Sequence, residues 1–189
     1  MRLRFRIGEF ARLLACAVLV AIAVHIVAVL AVPALSRADA YSLIASMAPE
    51  LQLTPLDADA RKAILDPMED PRIAAAVCAF DLTSGPVKLS LPVSADGFAS
   101  IALHQEGGGA FFALSNSAAE EGRIEVVALT TGQAADRAAE DDEDNPSNEV
   151  RAVATRTRGF AVFRALALLP SQRAAAAALV AAGTCEHIE

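Results

Sequence analysis

The sequence predicts an α+β chain: an N-terminal transmembrane helix, then a small, mostly antiparallel β-sandwich or partial barrel with a C-terminal helix. Three observations predict it. Residues 13–36 carry no charged side chain, apolar and polar residues alternate with period two after Pro71, and an alanine-rich stretch follows Pro170. The length of 189 residues allows one domain of ordinary size with an appendage. Sixteen basic residues against 23 acidic ones speak against a nucleic-acid binder. One Tyr and no Trp leave little to build a stacking platform for bases or sugars.

Charge is divided unevenly along the chain. Residues 1–35 hold Arg2, Arg4, Arg6 and Arg12 against Glu9, a net of +3, which leaves −10 on the remainder of a chain whose total is −7. The run 13–36 includes 13 large aliphatic residues, from Leu13 to Leu35. As a helix it reaches roughly 36 Å at 1.5 Å per residue, enough for a hydrocarbon core of about 30 Å. Those aliphatics favour insertion by roughly 4–8 kcal/mol, less what His25 and Pro33 subtract. The basic head then stays cytoplasmic and everything after Arg37 is exported, so the expected home is a bacterial inner membrane with a periplasmic C-terminal domain. A cleaved signal peptide competes with an anchor, because Ala38-Asp39-Ala40 has the small-x-small form a signal peptidase accepts. The apolar run is longer than a signal h-region of about 7–15 residues, which favours the anchor. His25 is the strongly polar group of the span, and no second ionisable group is there to form a relay with it.

Four divisions follow: a cytoplasmic basic head over 1–12, the span over 13–36, a helical connector over 37–72 and a β-rich periplasmic domain over 73–189. In the connector, Tyr41, Leu43, Ile44 and Met47 have helical spacing and Pro49 stops them. Residues 56–65 form a second short helix with Asp57 as its cap. Strands are expected over 73–82, 87–91, 98–105, 110–116, 123–130, 149–155 and 159–168. Turns stand at Thr83-Ser84-Gly85-Pro86, Ser94-Ala95-Asp96-Gly97 and Gly107-Gly108-Gly109. Between the fifth and sixth strands, residues 132–148 are dominated by Asp136, Glu140, Asp141, Asp142, Glu143 and Asp144. Their mutual repulsion predicts an extended, mobile loop. The final helix starts at Pro170-Ser171 with Ser171 as N-cap, and Gly183 ends it.

Three cysteines are present: Cys16 in the span, Cys78 on a strand and Cys185 after the last helix. If the domain is exported, the last two share an oxidising compartment, and a Cys78–Cys185 disulfide is expected. The residues supply no catalytic set, metal set or cofactor site. No Gly-x-Ser-x-Gly elbow occurs, and the acidic stretch lacks the glycine and final glutamate of a calcium loop. His104, Glu106 and His187 are the groups from which a zinc site or catalytic cleft could be assembled, without any His-x-x-x-His spacing. Arg164, within an apolar strand, is expected to pair with Asp81.

The run Asp70-Pro71-Arg72-Ile73-Ala74-Ala75-Ala76-Val77-Cys78-Ala79-Phe80-Asp81-Leu82, followed by Gly85-Pro86-Val87 and Leu91-Pro92, resembles the core of the domain-of-unknown-function 1254 family. Residues 98–104 and 111–116 resemble its next hairpin. Residues 159–168 with Arg164, the final helix and Cys185 resemble the end of its short, membrane-anchored alphaproteobacterial members. The likeness spans roughly residues 70–130 and 158–185. Longer members join this domain to a second β-rich domain. The resemblance therefore implies a companion small membrane protein carrying that second domain, and it transfers no catalytic residue. The expected function is an interaction or cell-envelope role at the lipid bilayer. The alternative is a periplasmic enzyme or ligand-binding carrier with a cleft near His104 and Glu106.

Overall fold

The computed structural model describes residues 2–35, 39–57, 59–60, 70–94, 97–107, 109–140 and 149–188. The chain divides into two units, Met1–Arg37 and Ala38–Glu189. The first is a single helix, α1 (Arg2–Leu35). Its stretch Gly8–Val32 is long and apolar enough to cross a membrane, and none of it is buried by protein. Leu19 and Leu30 are 66% and 74% exposed. A helix that long and apolar has the character of a membrane anchor or a signal sequence.

The second unit contains α2 (Ala40–Met47), β1 (Thr54–Pro55), β2 (Ile73–Asp81), β3 (Val87–Pro92), β4 (Ala99–Gln105), β5 (Ala110–Ser115) and β6 (Arg123–Thr130). After these come α3 (Thr131–Glu140), β7 (Arg151–Ala154), β8 (Arg158–Leu166), α4 (Arg173–Ala181) and β9 (Thr184–His187). One sheet has the order β1-β2-β8-β4-β5 and the other β7-β6-β3-β9. All pairings are antiparallel except β6 with β7. The fold is thus α+β, an open pair of sheets and not a closed barrel.

Alternation decides which side chains meet. From β2, Ala76, Cys78 and Phe80 join Val87, Leu89, Leu91, Ile101, Leu103, Ile124, Val126 and Phe163 in the core between the sheets. The opposite face of β2 and β8 is buried as well. Ala75, Val77, Ala79, Phe160 and Val162 pack with Ile44 of α2 and Leu56, with Tyr41 at the margin. At the crossing of β8 and β4, Gly159 has no room for a side chain. A Cβ there would run into the backbone carbonyl oxygen of His104 and come within 2.8 Å of Phe80 Cζ. Helix α4 buries Ala176 and Val180 in the inter-sheet core, where small side chains allow close packing.

Several expectations change. Helix α2 has Asp39 as its N-cap. The chain from Leu51 to Leu56 then runs along β2, with Leu51 N–H donating to the Ala79 carbonyl and Leu56 N–H to that of Ala75, both at 2.9 Å. Asp57 caps as expected, its Oδ1 accepting from Ala60 N at 2.8 Å, while residues 61–65 of that helix lie outside the described residues. Thr131–Glu140 is helical where an extended loop was expected. Gln133 Oε1 accepts from Thr130 N–H at 2.8 Å, and Gln133 Nε2 donates to the Leu82 carbonyl at 2.8 Å. Residues 141–148 of the acidic stretch lie outside the described residues. Because α3 carries the chain between β6 and β7, that pair is parallel. Ser171 is not a helix cap. Residues Pro170–Gln172 form a 3₁₀ turn, and Gln172 Oε1 accepts the Leu169 N–H at 3.0 Å. Arg164 faces Ala75 and Ser100, whereas Asp81 faces Arg158 at the far end of β2. Six residues of strand, about 20 Å, separate the two ends, so no Arg164–Asp81 pair forms.

Cys185 lies on β9 opposite Leu89 and is disulfide-bonded to Cys78 on β2, with Cα atoms 6.6 Å apart and 107 positions between them in sequence. The bridge staples one sheet to the other. Cys16 is a free thiol. Two outcomes follow. Replacing both bridge cysteines by Ala lowers the unfolding free energy of the detergent-solubilised chain by about 4 kcal/mol, as a loop of this size implies, read by denaturant titration. Gly159→Ala costs about 1–3 kcal/mol in the same assay through overpacking against backbone.

Candidate functional site

Three regions of the second unit carry the groups from which a site could be built. The first is the outer face of the five-stranded sheet, where the sequence places His104 and Glu106. His104 pairs with Phe160 across the β4–β8 ladder, and the two rings stack at 4.7 Å between centroids, 3° from parallel. Desolvation by this packing, and then the nearby Arg164 charge, lower the imidazole pKa below 6.5. Glu106 holds Arg158 at 2.9 Å, and the Arg158 guanidinium lies 5.7 Å from the centre of the Tyr41 ring. Burial raises the Tyr41 pKa in spite of that cation. The expected cleft is therefore a packed surface, its imidazole covered by an aromatic ring and its carboxylate engaged by an arginine.

His187 lies elsewhere. It sits on β9 opposite Val87 in the four-stranded sheet, with its Nδ1 3.2 Å from the Pro86 carbonyl oxygen. The structure does not bring it to His104 or Glu106. Among the described residues no cluster of His, Cys, Asp or Glu has metal-binding geometry.

The second region, which sequence reasoning missed, is a polar hollow of about 440 Å³ on the outer face of the four-stranded sheet. Lys88, Arg123, Glu125, Glu121 and Glu149 line it above Val127. Two of these side chains, Arg123 and Glu125, meet at Ser90, which is 3% exposed. The Ser90 hydroxyl donates to Glu125 Oε1 at 3.1 Å and accepts from Arg123 Nε at 2.8 Å. Lys88 Nζ lies 2.8 Å from Glu125 Oε2. Lys88, then Ser90 and Arg123, hold the Glu125 carboxyl below its ordinary range against the opposing effect of burial. At the rim, Glu149 is shared by Arg151 at 3.0 Å and Arg137 at 3.4 Å. The period-two pattern assigns Lys88, Ser90, Arg123 and Glu125 to the solvent side of β3 and β6. That the two strands are neighbours was the missing information.

The third region is apolar. Phe98, Leu168 and Leu169, at 48%, 57% and 58% exposed, stand beside a hollow of about 240 Å³ that Leu166, Ala175 and Leu179 help to line. It lies at the end of β4 and β8 remote from Glu106 and Arg158.

No protein-family model and no curated protein matches the chain. Among solved structures, the VPA0106 protein from Vibrio parahaemolyticus is similar at a TM-score of 0.55 and 11% identity, over 79% of this chain and 34% of that one. A protein from Burkholderia cenocepacia aligns at a TM-score of 0.47 and 14% identity, over 67% of this chain and 36% of that one. At such identity the first likeness shows a shared fold alone. The chain spans about a third of the length of each of these proteins.

The His104 stack has a measurable pH signature. A depressed histidine pKa means that the folded state resists the proton the unfolded chain accepts. The contribution is therefore complete above pH 6.5 and is lost as pH falls through the lowered folded value. Denaturant titrations from about pH 7.5 to 5 should show stability falling less steeply in His104→Phe, which keeps the stack without the titrating group.

Proposed function

We propose that this chain is a single-pass inner-membrane protein whose β-rich domain stands in the periplasm and acts by interaction, with a companion small membrane protein that carries a second β-rich domain. Its family is that of the short, membrane-anchored members of the domain-of-unknown-function 1254 group. The observation that carries the proposal is an apolar helix, preceded by a basic head, ahead of a disulfide-bonded β-rich unit. The companion is what the family resemblance implies.

Two features of this chain support the compartment. The basic head before Gly8–Val32 is the charge bias that keeps an N-terminus cytoplasmic. The Cys78–Cys185 bridge suits an oxidising compartment. A role in binding, and not in turnover, accords with a His104–Glu106 face filled by Phe160, Arg158 and Tyr41.

A C-terminal alkaline phosphatase fusion should be active and a C-terminal fluorescent-protein fusion exported in unfolded form should be dark. The opposite result overturns the topology. Mild crosslinking in membranes, then affinity purification, should recover a second small anchored protein encoded beside this one. A strictly monomeric, partnerless chain overturns the companion.

A further inference from the structure

We propose that residues 39–47 are a retained strap: the chain is not processed at Ala38-Asp39-Ala40, and α2 joins the exported domain to an anchor that stays attached. This rests on the reading that α1 enters the membrane. It gives a structural reason for the retained anchor that the single-pass reading requires.

Processing at this small-x-small motif would hydrolyse the Ala40–Tyr41 bond and leave Tyr41 as the new N-terminus. In the folded unit that bond lies within the first turn of α2. Asp39, just before it, is engaged on both sides. Its Oδ1 accepts the Ser42 N–H at 2.8 Å and so caps α2, and its Oδ2 accepts the Gly107 N–H of the β4–β5 turn at 2.7 Å. The Asp39 carbonyl accepts from the Ser42 hydroxyl at 2.9 Å. One residue thus ties a helix to a sheet turn 68 positions away. Burial opposes its charge, but the contacts with Ser42 and Gly107 outweigh that and keep the carboxyl ionised below its usual range.

Removal of Asp39 would hand those exposed donors to water and cut the tie between α2 and the β4–β5 turn. It would also place a new ammonium group at a helix N-terminus, where the dipole disfavours positive charge, on the residue whose ring already faces the Arg158 guanidinium. The helix so weakened is part of the core. Ile44 is fully buried and packs with Val77, Ala79, Phe160 and Val162. Processing would leave Ile44 in place but remove the Asp39 cap and the tie to Gly107 that hold this helix against the sheet, whereas an ordinary leader contributes nothing to the mature fold.

The test uses the full chain with a C-terminal tag, expressed in a bacterium and fractionated. Intact mass and N-terminal sequencing should find residues 1–40 still attached and the protein in the membrane fraction, its C-terminus accessible from outside the cytoplasm. An exported chain that starts at Tyr41 overturns the strap and the single-pass anchor with it, and leaves export standing. A full-length chain in the cytosol overturns the membrane reading itself and the strap with it. In the detergent-solubilised protein, Asp39→Ala should speed hydrogen exchange at the amides of residues 42–47 and Gly107 by about tenfold, and Asp39→Asn, which keeps an acceptor, should recover most of the protection. Unchanged exchange in Asp39→Ala overturns the proposal.

Discussion

The constraint on which the second unit depends is that β2 and β8 are buried on both faces. Sheets in sandwiches commonly leave one face to water, and their strands then alternate apolar with polar. Here Ala75, Val77 and Ala79 on one face of β2, and Ala76, Cys78 and Phe80 on the other, are all within 4% of full burial. Such a pair needs cover twice. The second sheet supplies it on one side and α2 with the chain around Leu56 on the other. The small alanines of β2 let both layers approach closely, and the same closeness leaves Gly159 no space for a Cβ.

This double burial gives the cross-links their positions. The Cys78–Cys185 bridge starts from the face of β2 that looks into the sandwich and ends on β9, so it spans the layer that hydrophobic contact already closes. Asp39 works on the other face, where it pins the start of α2 to the β4–β5 turn, while Tyr41 sits under Arg158 and Arg158 holds Glu106. Each joins segments distant in sequence, and each limits the ways in which covering layers could slide or lift.

How much of this was legible depended on how local the signal was. Strands β2 to β6 and β8 follow from alternation and turn residues, because a half-buried strand advertises its two faces within six or seven positions. β9 was missed because Thr184, Cys185, Glu186 and His187 make a strand too short to show a period, fixed by β3 and the bridge. In α3 the acidic residues near Glu140 suggested repulsion along the whole stretch. The local cues were Gln133 reaching back to Thr130, and alanines at 134, 135, 138 and 139. Ser171 looked like a cap, yet Pro170 turns the chain through a 3₁₀ turn first and Gln172 bonds back to Leu169. The bridge partners were readable by count, since two cysteines lie beyond the span. The hollow lined by Arg123 and Glu125 was not, because a polar residue such as Ser90 on a strand says nothing about which neighbour it faces until the β3–β6 pairing brings Arg123 and Glu125 to it.

The surfaces that remain differ in chemistry. Over the four-stranded sheet, charges are already satisfied within the chain: Glu125 has Lys88 and Ser90, and Glu149 has Arg137 and Arg151. Such a network is solvated and self-neutralised, and in exposed positions its pairs add little stability. At the far end of β4 and β8, Phe98, Leu168 and Leu169 keep about half of their surface in water with no charge among them. Exposure of that kind is costly for a monomer and useful at a contact.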